Sequence, residues 1–136
     1  MAETLLSAQR VSVRFGGLVA VDRVDLDVRA GELVGVIGPN GAGKTTFFHA
    51  LSGVLVPDSG RLVIGGLDLT GRPAHAFAMH GVARTFQTPR VFRDMSAEDN
   101  VRFGLQFAGR ARRHSHDAFD DARAILGFLG LAQAAA

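Results

Sequence analysis

The stretch "VIGPNGAGKTTFF", Val36–Phe48, decides the fold. Gly38, Gly43, Lys44 and Thr45 stand at the spacing G-x-x-x-x-G-K-[ST], in which glycines let successive backbone N–H groups converge on one anion. A helix starting after the loop points the positive end of its dipole at the same place. Lysine at this position reaches the β- and γ-phosphates of a nucleotide, and the Thr45 hydroxyl suits Mg²⁺. At this chain's own residue frequencies the pattern arises by chance about one time in a thousand. Lys44 is also the only lysine among fifteen Lys and Arg residues. Elsewhere the chain uses Arg for positive charge, so lysine here points to a compact charge on phosphate. The loop alone does not tell GTPases, kinases and transport ATPases apart.

The flanks supply the order that such a loop requires. "ELVGVIG" (32–38) is a short apolar run of the kind expected for a strand buried on both faces. It leads into the loop, and "TTFFHALSGV" follows with Phe47, Phe48, Leu51 and Val54 at helical spacing, stopped by Gly53 and Pro57. Upstream, "RVSVRF" (10–15) and "VDRVDLDV" (21–28) alternate apolar and polar residues around Gly16–Gly17, which predicts a half-buried antiparallel pair. Downstream, "GRLVIGGLDLTG" (60–71) predicts a second strand pair, "PAHAFAMH" a short helix and "VARTFQ" (82–87) a strand. From Ser96 onward the character is helical: Ser96 precedes acids, and an apolar stripe runs through Ala122, Ile125, Leu126 and Leu129.

Composition excludes several classes. A chain of 136 residues with 47% hydrophobic content is a folded single domain, and 17 glycines imply many tight turns. The pI of 10.4 overstates the basicity, because the formal net charge is only +2 and little titrates between neutrality and the arginine range. The one basic cluster, "GRARRHSH" from Gly109, carries no interleaved aromatics, so no nucleic acid is expected as partner. Without cysteine there are neither disulfides nor thiolate metal sites. His114 and His116 lack a third ligand and read as a solvated loop. No secretory signal is expected from "MAETLLSAQRVSV", nor a membrane span from runs as short as "AILGFLGLA". A cytoplasmic chain is the expectation.

"GPNGAGKTT", an alternating strand pair before it, "PDSGRLVIGGLDL" after it and "RTFQ" downstream together resemble the ATP-binding subunit of an ABC transporter. "GVARTFQTPRVFRDMSAEDNV" is similar to the Q-loop segment of branched-chain amino-acid importers, and the resemblance extends from about Leu5 to the C-terminus. It implies an α/β fold of ABC ATPase type: an antiparallel layer beside a partly parallel core sheet, then the start of a helical subdomain. A nucleotide-binding core over 1–93 and the helical part over 94–136 are implied. Carried over by position, Phe15 matches the aromatic that stacks on adenine. Gly38, Pro39, Asn40, Gly41, Ala42, Gly43, Lys44, Thr45 and Thr46 match Walker A, with Thr46 near the α-phosphate. Gln87 matches the Q-loop glutamine, a Mg²⁺ ligand and sensor of the attacking water. Lys44 and Gln87 are thus the candidates for the chemistry, with ATP and Mg²⁺ as cofactors.

The implied partners are transmembrane permease subunits and a second ATPase subunit, with the chain held at the cytoplasmic face of the inner membrane through them. The resemblance also exposes what is missing. A Walker B strand with its Asp, the catalytic Glu, an LSGGQ-type stretch and a switch His do not occur in the sequence. "LVIGGLDL" with Asp68 precedes the Q-loop and matches the family's antiparallel hairpin instead. The chain therefore reads as the N-terminal portion of such a domain, binding nucleotide without efficient turnover and leaving sheet edges uncovered. Two other readings stay open: a non-catalytic module that binds nucleotide or membrane subunits, and a soluble ABC ATPase or another P-loop NTPase.

Overall fold

The computed structural model describes residues 3–88, 90–106 and 122–134. The basic cluster with His114 and His116 lies outside the described residues. The chain divides into two compact units, Met1–His80 and Gly81–Ala136.

The first unit is built on a four-stranded antiparallel sheet in the order β2-β1-β3-β4. β1 is Thr4–Phe15, β2 Leu18–Arg29, β3 Ser59–Ile64 and β4 Leu67–Asp68. Both strand pairs predicted from alternation are present, each longer or shorter by a few residues than the sequence pattern. Helix α1 (Lys44–Leu51) packs against β1 and β2, and α2 (Ala74–Met79) buries Phe77. Ala8, Val11, Val13, Val21, Phe47, Ala50, Leu51, Leu62, Ile64, Leu69 and Phe77 form the buried apolar set. A fully buried side chain such as Leu62 or Phe77 contributes about 1.5–3 kcal/mol relative to an exposed one.

The long hairpin β1–β2 carries four register shifts, and the two in its middle cancel. Ala8 faces Leu26 and Val11 faces Val24, so β1 spends one extra residue there; Val13 faces Val21, so β2 spends one extra residue in the next interval. A one-residue slip turns every following side chain to the opposite face. The first bulge thereby allows Ala8, Val11 and Val13 all to be buried, although their numbers change parity. The second restores the facing on β2, where the apolar positions shift from Val19 and Val21 to Val24, Leu26 and Val28. Arg10 and Arg23 occupy the bulges with φ of 47° and 46°, left-handed values that cost a bulky L-residue about 1–2 kcal/mol.

Side chains from the opposite strands hold the two bulges. Asp25 Oδ1 accepts from the Arg10 N–H at 2.7 Å, and Ser12 Oγ accepts from the Arg23 N–H at 2.9 Å. Gly60 of β3 lies tight against the first bulge: a Cβ there would stand 2.6 Å from the Arg10 carbonyl oxygen. Ser12 is 3% exposed, so replacing it by alanine orphans the Arg23 N–H away from water. Ser12→Ala is expected to destabilise the chain by about 1–3 kcal/mol in urea unfolding. Asp25→Ala, at an exposed bond, is the milder comparison.

At the far end of the sheet, Asp68 does not resemble a catalytic carboxylate. The Thr70 hydroxyl donates to it at 2.7 Å, Arg61 Nε bonds it at 2.7 Å, and the Thr70 N–H adds a third bond at 3.0 Å. These hold its carboxyl at about 2, below the ordinary 3.8. Its role is to close the β3–β4 turn.

The expected parallel core sheet is not formed among the described residues. Residues 32–39 and 82–86 form neither strand nor helix. Leu33 and Ile37 are 98% and 94% exposed. An apolar run of this kind becomes a strand only when neighbours supply a ladder, and none of the described residues runs alongside it.

The second unit holds α3 (Ala97–Gln106), α4 (Ala122–Phe128) and a 3-10 turn at Ala132–Ala134. Ser96 caps α3 as its sequence position predicts, accepting from the Asp99 N–H at 3.1 Å while its hydroxyl donates to Asp99 Oδ2 at 2.8 Å. Glu98 is buried and bonds Arg102 at 2.6 Å and Arg123 at 2.9 Å, tying α3 to α4. The Asn100 amide clasps the preceding loop, donating to the Phe92, Met95 and Ser96 carbonyls and accepting from the Phe92 N–H. Phe92 also stacks edge-on against Phe103 with centroids 4.8 Å apart.

Candidate functional site

The glycine loop sits between the apolar run 32–38 and the start of α1, as the sequence order requires. Gly41 and Gly43 have φ of 84° and 81°, so the turn depends on residues without a Cβ. Gly43 precedes the first residue of α1, and its own carbonyl accepts from the Phe47 N–H at 2.8 Å. A Cβ at Gly43 would overlap the Ala20 carbonyl oxygen, so the loop is pressed directly on β2. No acid stands in the first turn of α1, which leaves the field of its N-terminus uncompensated.

Lys44 is folded back over the loop. Its Nζ donates to the carbonyls of Gly38 at 2.7 Å and Pro39 at 2.6 Å. An ammonium group has three donors, so one remains for an oxygen arriving from outside. The contacts fix the charge above the loop instead of leaving it on a freely rotating stem, and that lowers the entropy lost on binding.

Phe15 ends β1 and is paired with Leu18 across the Gly16–Gly17 turn. It is 51% exposed and shares a cavity of about 370 Å³ with Asn40, Gly41, Gly43, Lys44, Thr45 and Thr46. The aromatic and the loop, 25 residues apart at their nearest, are thus brought together around one space large enough for a small ligand. Leu18, Val19 and Ala20 complete the lining, and sequence reading did not single them out. Their signal was the two-glycine turn, which returns the chain alongside Phe15. Gln87 belongs to the second unit, where it follows 82–86, a segment without regular structure, and is exposed.

The residues present fit a phosphate-bearing ligand with a cation beside it. Loop glycines, the start of α1, Lys44 with its positioned ammonium, Thr45, Thr46 and the aromatic Phe15 line one cavity. Loops of this geometry define the P-loop class of nucleotide-binding domains.

Within that class the chain belongs to the ABC transporter family, whose sequence profile matches residues 21–136. It is 38% identical over 143 residues to LivG of Escherichia coli (strain K12), a high-affinity branched-chain amino acid transport ATP-binding protein. That match covers 96% of this chain and 56% of LivG. It is 43% identical over 107 residues to PotA of Nitrosospira multiformis, a spermidine/putrescine import ATP-binding protein, covering 79% of this chain and 29% of PotA. Among solved structures, the ADP conformation of MJ1267, an ATP-binding cassette of an ABC transporter, superposes with a TM-score of 0.77 at 28% identity. It spans 97% of this chain and 56% of that one. The chain thus spans about half the length of its LivG relative and of the solved cassette. Among the described residues no helix is long and apolar enough to cross a membrane.

Proposed function

We propose that the chain is the nucleotide-cradling part of the ATP-binding subunit of an ABC importer for branched-chain amino acids. The shared cavity of Phe15 with the Lys44 loop is the observation that supports this reading most strongly. Lys44 would contact the β- and γ-phosphates, the Thr45 hydroxyl would hold Mg²⁺ and Thr46 would add a hydroxyl at the α-phosphate, while Gln87 is assigned as the Q-loop glutamine by its sequence position. The loop from Gly38 through Pro39, Asn40, Gly41, Ala42 and Gly43 wraps the phosphates with backbone N–H groups. Phe15 provides the face for the adenine ring. Mg²⁺, held by Thr45, would supply neutralisation of the phosphate charge.

The substrate reading rests on the printed function of LivG and on the likeness of residues 81–101 to the Q-loop segment of such importers. PotA, named for a polyamine, shows that this half of the domain does not by itself fix the cargo. Division into a core at 1–93 and a helical part from 94 belongs to the same proposal, as do permease subunits, a second ATPase subunit and a place at the cytoplasmic face of the inner membrane. ATP hydrolysis coupled to transport is assigned to the whole subunit in its complex.

The test separates base from phosphate. Phe15→Ala is expected to weaken Mg-ATP binding about tenfold, the value of one base–aromatic stack, while leaving inorganic tripolyphosphate binding unchanged. Equal loss of both in calorimetry would remove Phe15 from the site. Wild-type chain that binds neither would remove the proposal.

A further inference from the structure

The paired bulges of β1 and β2 do more than correct the register. Together with β3 they frame a concavity of about 530 Å³ lined by Gln9, Arg10, Arg23, Ser59, Gly60 and Arg61. It shares no residue with the cavity at Lys44. Among the described residues three arginines line it and no acidic residue does.

Two carboxylates reach these arginines, but only at one nitrogen each. Asp22 lies 3.4 Å from Arg23 Nε, and Asp68 lies 2.7 Å from Arg61 Nε. Among the described residues no carboxylate pairs with the Arg10 side chain, since Asp25 is engaged by its backbone N–H. An arginine has five N–H donors, so contacts through Nε leave the terminal nitrogens of the fork for a ligand.

Residue choice at the bulges adds a second, independent observation. Both positions need a left-handed backbone, which glycine or asparagine adopts at little cost. Neither bulge needs an arginine side chain for its own hydrogen bonds, since Asp25 and Ser12 satisfy the two N–H groups. Strain retained at both ends of one basic concavity is the mark of a binding site more than of a folding requirement.

The geometry points to an anion-binding site at the double bulge, in which Arg10 and Arg23, supported by Arg61, take a phosphate dianion. Planar guanidinium forks match phosphate oxygens two at a time, which lysine does not. The Ser59 hydroxyl offers a further donor, and the missing side chain of Gly60 lets β3 lie directly against the Arg10 bulge. The same chemistry is carried by a free phosphate compound and by a phosphomonoester lipid headgroup.

The probe is inorganic pyrophosphate, titrated calorimetrically into Lys44→Ala, in which the glycine loop's contribution is removed, and into the double variant Arg10→Asn/Arg23→Asn made in that same Lys44→Ala background. Asparagine keeps the left-handed positions, so the double variant is expected to melt at or above the wild-type temperature. Pyrophosphate binding should persist in Lys44→Ala and weaken at least tenfold in the double variant. Arg10→Lys/Arg23→Lys, which keeps charge without the fork, should fall between. Binding in the double variant as tight as in Lys44→Ala alone overturns the site, and so does binding that disappears wholly in Lys44→Ala. Phosphatidylcholine vesicles with and without phosphatidic acid then separate the sources. Co-sedimentation that needs both phosphatidic acid and the two arginines makes the ligand a lipid headgroup, whereas pyrophosphate binding without co-sedimentation makes it a free phosphate. A failure of the Lys44 cavity to bind Mg-ATP leaves these outcomes untouched.

Discussion

Replacing Lys44 by alanine lowers Mg-ATP affinity about a hundredfold and leaves the fold intact. The size follows from the interaction lost, a charge-assisted hydrogen bond to phosphate worth roughly 1.5–3 kcal/mol, or about 10- to 150-fold. The fold is spared because the two carbonyls released, those of Gly38 and Pro39, lie in an exposed loop where water replaces the ammonium. Lys44→Arg is expected to rescue little, since a rigid fork does not fold back between the same two carbonyls as a point charge does. Calorimetric titration with unfolding curves for each variant checks both halves. Unchanged affinity in Lys44→Ala would sink the assignment of the loop.

Gly43→Ala is expected to be the more damaging change, affecting stability and binding together. The residue needs φ of 81°, which costs an L-residue about 1–2 kcal/mol. The added methyl also meets the Ala20 carbonyl oxygen, so either β2 or the loop must move. A total destabilisation of about 3 kcal/mol is expected, in the range of overpacking combined with backbone strain. Gly41→Ala provides the control: its φ of 84° imposes the same strain, but nothing lies within 4 Å of the added carbon. Urea midpoints should place Gly41→Ala near 1 kcal/mol and Gly43→Ala well beyond it. Equal losses would mean that the contact with β2 contributes nothing.

The parts of the fold legible in the sequence are those fixed by short-range chemistry. The spacing of Gly38, Gly43, Lys44 and Thr45 is a local pattern, and so are the helix starts at Lys44 and Ser96. Alternation in β1 and β2 marked both strands. Their bulges were also written there, because the apolar positions change parity between Ala8 and Val11 and again between Val21 and Val24, but reading each strand as one uniform alternation hid the change. The run 32–38 was read as a buried strand from composition alone. Whether such a run is paired depends on segments distant in sequence, and no local pattern carries that. The burial of Glu98 between Arg102 and Arg123 and the Asn100 clasp are likewise tertiary outcomes, since an isolated acid or amide in a helix looks like solvated surface.

The contact between Gly43 and Ala20 gives the site a built-in ruler. The same strand that receives the loop at Ala20 begins at Leu18, the residue paired with Phe15. At about 3.3 Å per residue, only about 7 Å of continuous backbone separates the anchor of the aromatic from the anchor of the phosphate cradle. Along β2 that interval is set by covalent geometry, while the loop meets the strand by packing at Gly43. A slide of α1 would therefore carry the loop off Ala20 and away from Phe15, whereas one residue inserted between Leu18 and Ala20 would lengthen the strand segment itself.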